Sequence, residues 1–440
     1  MPVGGDAERD GAEAAFRAAM SRLGPWEAAP ALAVGVSGGA DSLALALLAQ
    51  DWAMARGGTV LGLIVDHGLR AEATAEAAFA RSTLAARGIP SRVLSLGLGA
   101  ATAERARQAR LAALEDACAE AGILHLLLAQ HACDQAETRL IRTLDHSGPA
   151  GLAGMAAIRH GAAVRILRPL LMVPPAILRD VVRRAGLAWV RDPSNADPRA
   201  TRTRLRHWRA DRDGAGAATR ALVLAARADG AARGTAEAEL ADAMARIATI
   251  RPEGFAVLSP GPWPGPVLAR LMRIIGGRAF APGDVAALAA APRPATRAGV
   301  RLMRAGRLGP GWLLVRETAA PPVAALPCAI WDGRWRVRGV WPAGATIGAL
   351  GDGPGPDLPA ACRRVLPAIR HAGRLLAVGT DAAGFAPPDP AMGAPFLPSS
   401  GPEERAWGMR TPPGHPMFPV AAGSSLPACQ SGRRANGRTG

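Results

Sequence analysis

Neither lysine nor tyrosine occurs anywhere in the 440 residues, and aromatic side chains amount to only 4%. The missing lysine excludes the common phosphate loop G-x-x-x-x-G-K-[ST], whose lysine reaches the terminal phosphates. It also makes all 52 basic residues arginine, against 36 acidic ones, for a formal charge of +16. An excess of that size points to a polyanionic partner more than to an acidic small molecule. Cysteine is scarce: Cys118, Cys133, Cys328, Cys362 and Cys429 are far apart, with no C-x-x-C pair and no ligand-spaced histidine beside them. That excludes a disulfide scaffold and a cysteine metal cluster, and makes a reducing, cytoplasmic setting the expectation. No apolar run has bilayer length, and the first ten residues, MPVGGDAERD, are acidic without an apolar segment, so neither a membrane span nor a secretory leader is expected.

What is present centres on residues 31–48, ALAVGVSGGADSLALALL. A β-prone apolar run, 31–36, breaks at Ser37-Gly38-Gly39-Ala40-Asp41-Ser42 and resumes as an Ala/Leu segment with helical patterning, predicting strand, tight loop and helix. Two glycines let the backbone curl until several N–H groups point at one spot, and the helix start adds its positive dipole end. Ser37 and Ser42 add hydroxyls. A bare SGG would be read as an ordinary turn; with Asp41 and Ser42 directly after a buried strand, the phosphate-cradle reading is the better one.

Further along, a second apolar strand is expected over 59–65, ending in Asp66-His67-Gly68-Leu69-Arg70, then a helix near 72–87, a strand near 92–96, a long helix over 101–121 and a strand over 124–129. Strands alternating with helices of this length argue an α/β, doubly wound, mostly parallel sheet, and polar groups at the carboxyl ends of its strands mark the ligand crevice. Gln130-His131-Ala132-Cys133-Asp134-Gln135-Ala136-Glu137-Thr138 begins where the fourth strand ends. Helical spacing puts Asp134, Glu137 and Thr138 on one face, where a carboxylate pair suits Mg²⁺ on phosphate oxygens; a solvated acidic first turn is the competing reading. Beyond Asp192-Pro193-Ser194-Asn195, the residues Arg199, Arg202, Arg204, Arg206 and Arg209 crowd one segment with His207 and Trp208. That pattern suits phosphate contacts and base stacking, with a solvated basic helix face as the alternative. Strands are expected at 300–304 and 312–316, a hairpin over 331–340 and a helix over 359–376.

Taken in order, these segments resemble the tRNA(Ile)-lysidine synthase family, a branch of the N-type ATP pyrophosphatases. SGGADS at Ser37–Ser42 is similar to its pyrophosphate loop, and Val65-Asp66-His67-Gly68-Leu69-Arg70 to its VDHGLR. Ala106-Arg107-Gln108-Ala109-Arg110-Leu111 resembles A-R-x-x-R-Y, with Leu111 for the aromatic. Asp134-Gln135-Ala136-Glu137-Thr138 is like the end of D-D-Q-A-E-T, and residues 147–155, SGPAGLAGM, follow S-G-x-x-G-L-x-G-M. Arg168-Pro169-Leu170 and Asp192-Pro193-Ser194-Asn195, with Asp197, Arg202 and Arg206, complete a set covering roughly 30–210. Departures are Gln130 for a frequent histidine, with His131 one place along, Cys133 for a second aspartate, and Asp145-His146-Ser147-Gly148 for R-G-S-G.

The resemblance implies a catalytic ATP-pyrophosphatase domain over 1–213, with an adenine nucleotide α-hydrolase-like sheet. A mainly helical tRNA-binding region over 214–323, a small α+β region over 324–378 and a Pro/Gly-rich disordered tail over 379–440 would follow. It implies a ligase: ATP adenylates the wobble cytidine of the isoleucine tRNA with a CAU anticodon, and free L-lysine displaces AMP to give lysidine. ATP would contact Ser37, Gly38, Gly39, Ala40, Asp41, Ser42, Asp66 and His67. Asp41 and Asp134 would hold Mg²⁺, and Glu137 would position the lysine ammonium or take its proton. Arg107, Arg110, Asn195, Arg202 and Arg206 would hold the RNA, Arg107 also within the catalytic set. Self-association into a homodimer is compatible with the sequence. The alternatives are a thiolation enzyme of the same superfamily, whose 2-thiocytidine type carries the C-x-x-C pairs absent here, and a catalytically weakened tRNA-binding relative.

Overall fold

The computed structural model describes residues 5–66, 71–96, 103–161, 164–190, 201–209, 211, 213–277, 285–326, 329–337 and 341–385. The first half runs α1 (Gly5–Arg22), β1 (Ala31–Val36), α2 (Ala40–Met54), β2 (Thr59–Asp66), α3 (Ala71–Ala85), β3 (Ser91–Ser95) and α4 (Ala103–Glu120). It continues through β4 (His125–Leu127), α5 (Ala132–Leu144), α6 (Pro149–Leu152), β5 (Ile158–His160), β6 (Arg165–Leu167), α7 (Pro175–Arg184) and α8 (Thr201–Arg209).

Its six strands lie in the order β3-β2-β1-β4-β6-β5, parallel except for the edge strand β5. Every residue of β1 after Ala31 is buried, because helices cover both faces of the sheet. Leu32, Val34 and Val36 pack with Phe16 and Met20 of α1, Leu43 and Leu45 of α2 and Leu178 of α7; Ala33, one step out of phase, packs with Leu114 and Cys118 of α4. A strand enclosed in this way reads as a continuous apolar run, which is why 31–36 is unbroken. The chain leaves β1 toward β2 on one side and returns to β4 on the other. The carboxyl ends of β1 and β4 therefore flank the topological switch point, where open α/β sheets bind ligands.

The second half begins with the 31-residue α9 (Ala217–Ile247), which lies along α5 by burying Val223 against Ala132 and Ala136. β7 (Ala248–Arg251), β8 (Phe255–Leu258), α10 (Gly265–Gly276), α11 (Ala286–Ala290), β9 (Ala295–Arg297), β10 (Val300–Arg304) and β11 (Trp312–Arg316) follow. These five strands form an antiparallel sheet, β7-β8-β11-β10-β9. Leu268, Leu271, Met272 and Ile275, at helical spacing, seat α10 on Leu258, Leu302 and Leu314 of that sheet. The segment expected to be mainly helical thus carries a sheet beside its helices; strands of three to five residues leave little alternation to read.

The last strands are β12 (Val323–Ala324), β13 (Ile330–Trp331), β14 (Trp335–Val337) and β15 (Thr346–Ala349), then α12 (Ala360–Arg363), β16 (Pro367–His371), β17 (Arg374–Val378) and β18 (Ala383–Phe385). They make the sheets β12-β15-β16-β17 and β13-β14-β18. The helix expected over 359–376 is corrected to the single turn α12 followed by the hairpin β16–β17. Pro367 cannot donate to a helix ladder but is tolerated as the first residue of a strand, and Ala372 and Gly373, at φ 48° and 77°, make the tight reversal. The tail expected from 379 is corrected at its start, since Gly379–Asp381 form a 3-10 turn and Ala383–Phe385 pair with β14 as β18; its remainder, from 386 onward, lies outside the described residues.

Candidate functional site

The loop between β1 and α2 is held from within. Ser42 Oγ accepts the Ser37 backbone N–H at 3.1 Å and donates to the Gly39 carbonyl at 2.9 Å, with Ser37 Oγ 3.3 Å away. Gly38 sits at φ 78°, and a side chain there would meet Val190, whose N–H donates to the Gly38 carbonyl. Only glycine combines that conformation with so close a neighbour. The loop therefore presents a fixed backbone at the start of a 15-residue helix whose first turn carries Asp41.

That loop forms one wall of a cavity of about 840 Å³ at the β1/β4 switch. Ser37, Gly39, Asp41 and Ser42 line it together with Gln130, His131, Cys133 and Asp134 from the β4 end, Arg107 and Arg110 from α4, and Arg168, Arg206 and Asp211. His131 Nε2 lies 3.5 Å from Asp41 Oδ2 and 3.6 Å from Asp134 Oδ2, so it joins the loop helix to α5. Burial disfavours its charge, but Asp134, Asp41 and Glu137 outweigh burial and push its pKa up to about 9, leaving an imidazolium between carboxylates at neutral pH. Asp134 also accepts the His131 backbone N–H at 3.1 Å, which closes the first turn of α5.

On the other side of Asp134, α8 docks through arginines. Arg206 donates from Nε to Glu137 Oε1 at 2.6 Å and from Nη2 to Glu137 Oε2 at 3.2 Å, a bidentate pair, and reaches Asp134 at 3.6 Å. Arg202 lies 3.5 Å from Glu137 and 3.8 Å from Asp134, and Arg202 Nη2 donates to Thr138 Oγ1 at 3.4 Å. Burial works against the charge of Arg206, but Glu137 and Asp134 more than restore it and raise its pKa. Glu137 is fully buried beneath these contacts.

The structure gives Glu137 a different place from the one expected. Its carboxylate is occupied by Arg206 and Arg202 and has no open face for an ammonium group, so it anchors α8. Arg202 and Arg206, expected on RNA, are correspondingly engaged with acids of the cavity while remaining about one-third exposed. Asp66, expected on the nucleotide, is buried at the end of β2, accepts the Thr74 hydroxyl at 3.0 Å and is not among the residues lining the cavity. Gly38 and Ala40 shape the loop without lining the cavity. His67 and Asn195 lie outside the described residues.

Sequence reasoning did not single out Arg168 or His131 as site residues. The signal for Arg168 was its position at a strand end, in Arg168-Pro169-Leu170; for His131 it was adjacency to Gln130, which also lines the cavity. Cys133 fills a close-packed corner: an added side chain at Gly214, φ 67°, would run into Cys133 Sγ and Pro175. No group of three or more His, Cys, Asp and Glu suited to a metal ion is found among the described residues, and no described helix is long and apolar enough to cross a membrane.

Comparison with known proteins agrees with this geometry. The model of the PP-loop domain matches residues 13–210. The tRNA(Ile)-lysidine synthase of Rhodopseudomonas palustris is 44% identical over 219 residues, 47% of this chain and 62% of that protein. That of Novosphingobium aromaticivorans is 44% identical over 211 residues, 47% of this chain and 63% of that protein. In both, the match spans less than two thirds of the relative's length. The tRNA(Ile)-lysidine synthase of Ruegeria pomeroyi is 34% identical over 348 residues, 73% of this chain and 79% of that protein.

Proposed function

The chain belongs to the tRNA(Ile)-lysidine synthase family, and from that premise we propose that it joins free L-lysine to the wobble cytidine of a CAU-anticodon isoleucine tRNA at the expense of ATP, in the cytoplasm. One observation carries the reading: the Ser37–Ser42 loop, the Asp41–His131–Asp134 array and the arginines Arg107, Arg110 and Arg206 meet in one cavity at the switch point of the sheet. A phosphate cradle alone serves many reactions; facing a cationic wall on a chain of charge +16, it suits a nucleotide and an RNA together.

In the first step the cytidine C2 oxygen bonds to the α-phosphorus of ATP as pyrophosphate leaves. Negative charge then accumulates where the α2 N-terminus and the loop hydroxyls converge. In the second step the lysine ε-nitrogen bonds to C2, the C2–O bond breaks, AMP departs with the oxygen, and the proton lost by the amine passes to solvent water. Reaching C2 requires the base to be unstacked, and Arg107, exposed on the cavity rim, is placed to hold the displaced backbone. Glu137 supports this arrangement from below by fixing Arg206.

The donor set also fits Mg²⁺. Asp41 and Asp134 both line the cavity and present hard carboxylate oxygens beside the phosphate loop. Mg²⁺ is characteristically held by one or two carboxylates, with phosphate oxygens and water completing its octahedron. Bound there, it would neutralise charge on the departing pyrophosphate.

Transfer of labelled lysine to the CAU-anticodon isoleucine tRNA, measured with and without ATP, tests the proposal. Transfer should require ATP, and Asp41→Asn should lower its rate by about 100-fold or more while tRNA binding persists. Unchanged turnover in that variant contradicts the role of Asp41, and absence of transfer by the unaltered chain contradicts the function.

A further inference from the structure

Among the described residues, Arg168 is a buried guanidinium without a counter-ion. It follows β6, is only 9% exposed and lines the cavity. Its Nη1 donates to the Ala156 carbonyl at 2.9 Å, while its buried Nε has no acceptor. Among the described residues no carboxylate pairs with it; its charged neighbours are Arg159 and Arg107, which together with burial pull its pKa down to about 10. Leaving a cation buried and unpaired is costly, and a native protein normally compensates such a group with a partner or a bound ion. The side chain is nevertheless held in place: its own backbone N–H donates to Ala157, and its Nη1 to the residue before. A rigid, desolvated, uncompensated arginine facing a ligand cavity is built to take an anion.

Resting on the function proposed above, we propose that Arg168 anchors the α-carboxylate of the amino-acid substrate, so that lysine lies across the cavity with its ε-amine toward the phosphate loop. The position separates this anion from the nucleotide. In the sheet order β1-β4-β6, the end of β6 is two strand spacings, about 10 Å, from the loop end of β1. A carboxylate held at one end and an amine delivered at the other match a long unbranched side chain. A planar guanidinium binds a carboxylate with two parallel hydrogen bonds, and the depth of Arg168 suits a small ligand group. RNA phosphates are met instead by Arg107, which is exposed. Arg110, on the same wall and also depressed in pKa by burial and by Arg107, adds to the positive field. Arg168 is thus a substrate-positioning residue that separates amino acids from simple amines.

The test compares lysine with cadaverine, the same diamine chain without the carboxylate, in the full chain and in Arg168→Gln. Loss of one charge-assisted contact corresponds to about a 10- to 100-fold effect. The variant should lose that factor in kcat/KM for lysine, mainly through KM, keep kcat/KM for cadaverine within about twofold, and leave the KM for ATP and the affinity for tRNA in place. An equal loss with both amines, or a loss falling on ATP or tRNA, assigns the anion to a phosphate and overturns the proposal; so does no loss at all. Thermal shift provides a readout independent of turnover. With ATP present, lysine but not cadaverine should raise the melting temperature of the unaltered chain, and neither should raise that of the variant. A chain that shows this pattern yet transfers no lysine refutes the proposed reaction and keeps the carboxylate site, whereas lysine shifting neither protein refutes the site. Should Arg168→Gln fail to fold, Arg168→Lys, which keeps the charge and loses the fork, carries the same comparison.

Discussion

Two clusters of arginine on carboxylate hold this molecule together, and they are built to opposite ends. In the second half, Asp332 lies between Arg316 and Arg334, all less than 10% exposed. Its oxygens accept from Arg316 at 3.1 and 3.2 Å, from Arg334 at 3.0 Å and from the Ala320 N–H at 3.1 Å, while Arg334 Nη1 donates to the Gly254 carbonyl. That cluster ties β11, β13, β14 and the turn before β8 into one unit. In the first half, Glu137 and Asp134 face Arg202 and Arg206, but only Glu137 is fully buried, the arginines are about one-third exposed, and several contacts are 3.5 Å or longer. The difference teaches that the closed cluster fixes structure, whereas the open one leaves charge available to a ligand entering the cavity.

The sharpest way to break the comparison is Asp332→Ala. Removing the acid strands two buried guanidiniums, and stability should fall by about 3–5 kcal/mol. Chemical denaturation reads the loss, and hydrogen exchange should place it at β11 and β14. Glu137→Gln should cost less, about 1.5–3 kcal/mol, because a neutral amide still accepts from Arg206 and the arginines gain water; lysine transfer should fall with it. A larger cost at Glu137 than at Asp332 would invert the assignment of structural and functional clusters.

A smaller effect distinguishes a third contact, between a buried histidine and an exposed carboxylate. His125, in β4, meets Glu27 at 2.9 Å, with Trp26 edge-on to its ring and Arg165 nearby. Burial lowers its pKa despite Glu27, and Arg165 adds to the lowering. The unfolded chain therefore binds the proton more readily, so this contribution to stability is complete above the unfolded value near 6.5 and is lost as pH falls through and below it. His131, raised to about 9, gains stability over the same fall in pH, so the readout is the difference between the unaltered chain and His125→Gln: the advantage of the unaltered chain should shrink between pH 7.5 and 5.5, and an unchanged difference would show that His125 carries none of it.

These clusters also mark where the sequence is legible. The loop from Ser37 to Ser42 is readable because a closed apolar strand, two glycines and an Ala/Leu helix are adjacent in the chain. The strands at Val300–Arg304 and Trp312–Arg316 are readable as short apolar segments, the first alternating with arginine and the second unbroken up to its final arginine. The pairing of Arg206 with Glu137 joins residues 69 positions apart, and nothing local in either segment specifies it, so the sequence points Glu137 at a ligand that it does not face and Arg206 at one that it can meet only while held by Glu137. The hairpin at Pro367–Val378 read as helix because alanine, leucine and arginine favour helices, while the features that decide it, Pro367 and the reversal at Ala372-Gly373, are single residues. Arg168 was legible as a motif and not as a charge without a partner, since burial is a property of the folded chain.

The central claim is that the cavity at the β1/β4 switch carries lysine onto cytidine. Mass spectrometry of nucleosides from CAU-anticodon isoleucine tRNA, after incubation with the full chain, Mg²⁺, ATP and lysine, tests it most directly. The account predicts lysidine at the wobble position, formed only when ATP and lysine are both present. Unmodified cytidine under those conditions, or a thiolated base when a sulfur donor is supplied, would contradict it.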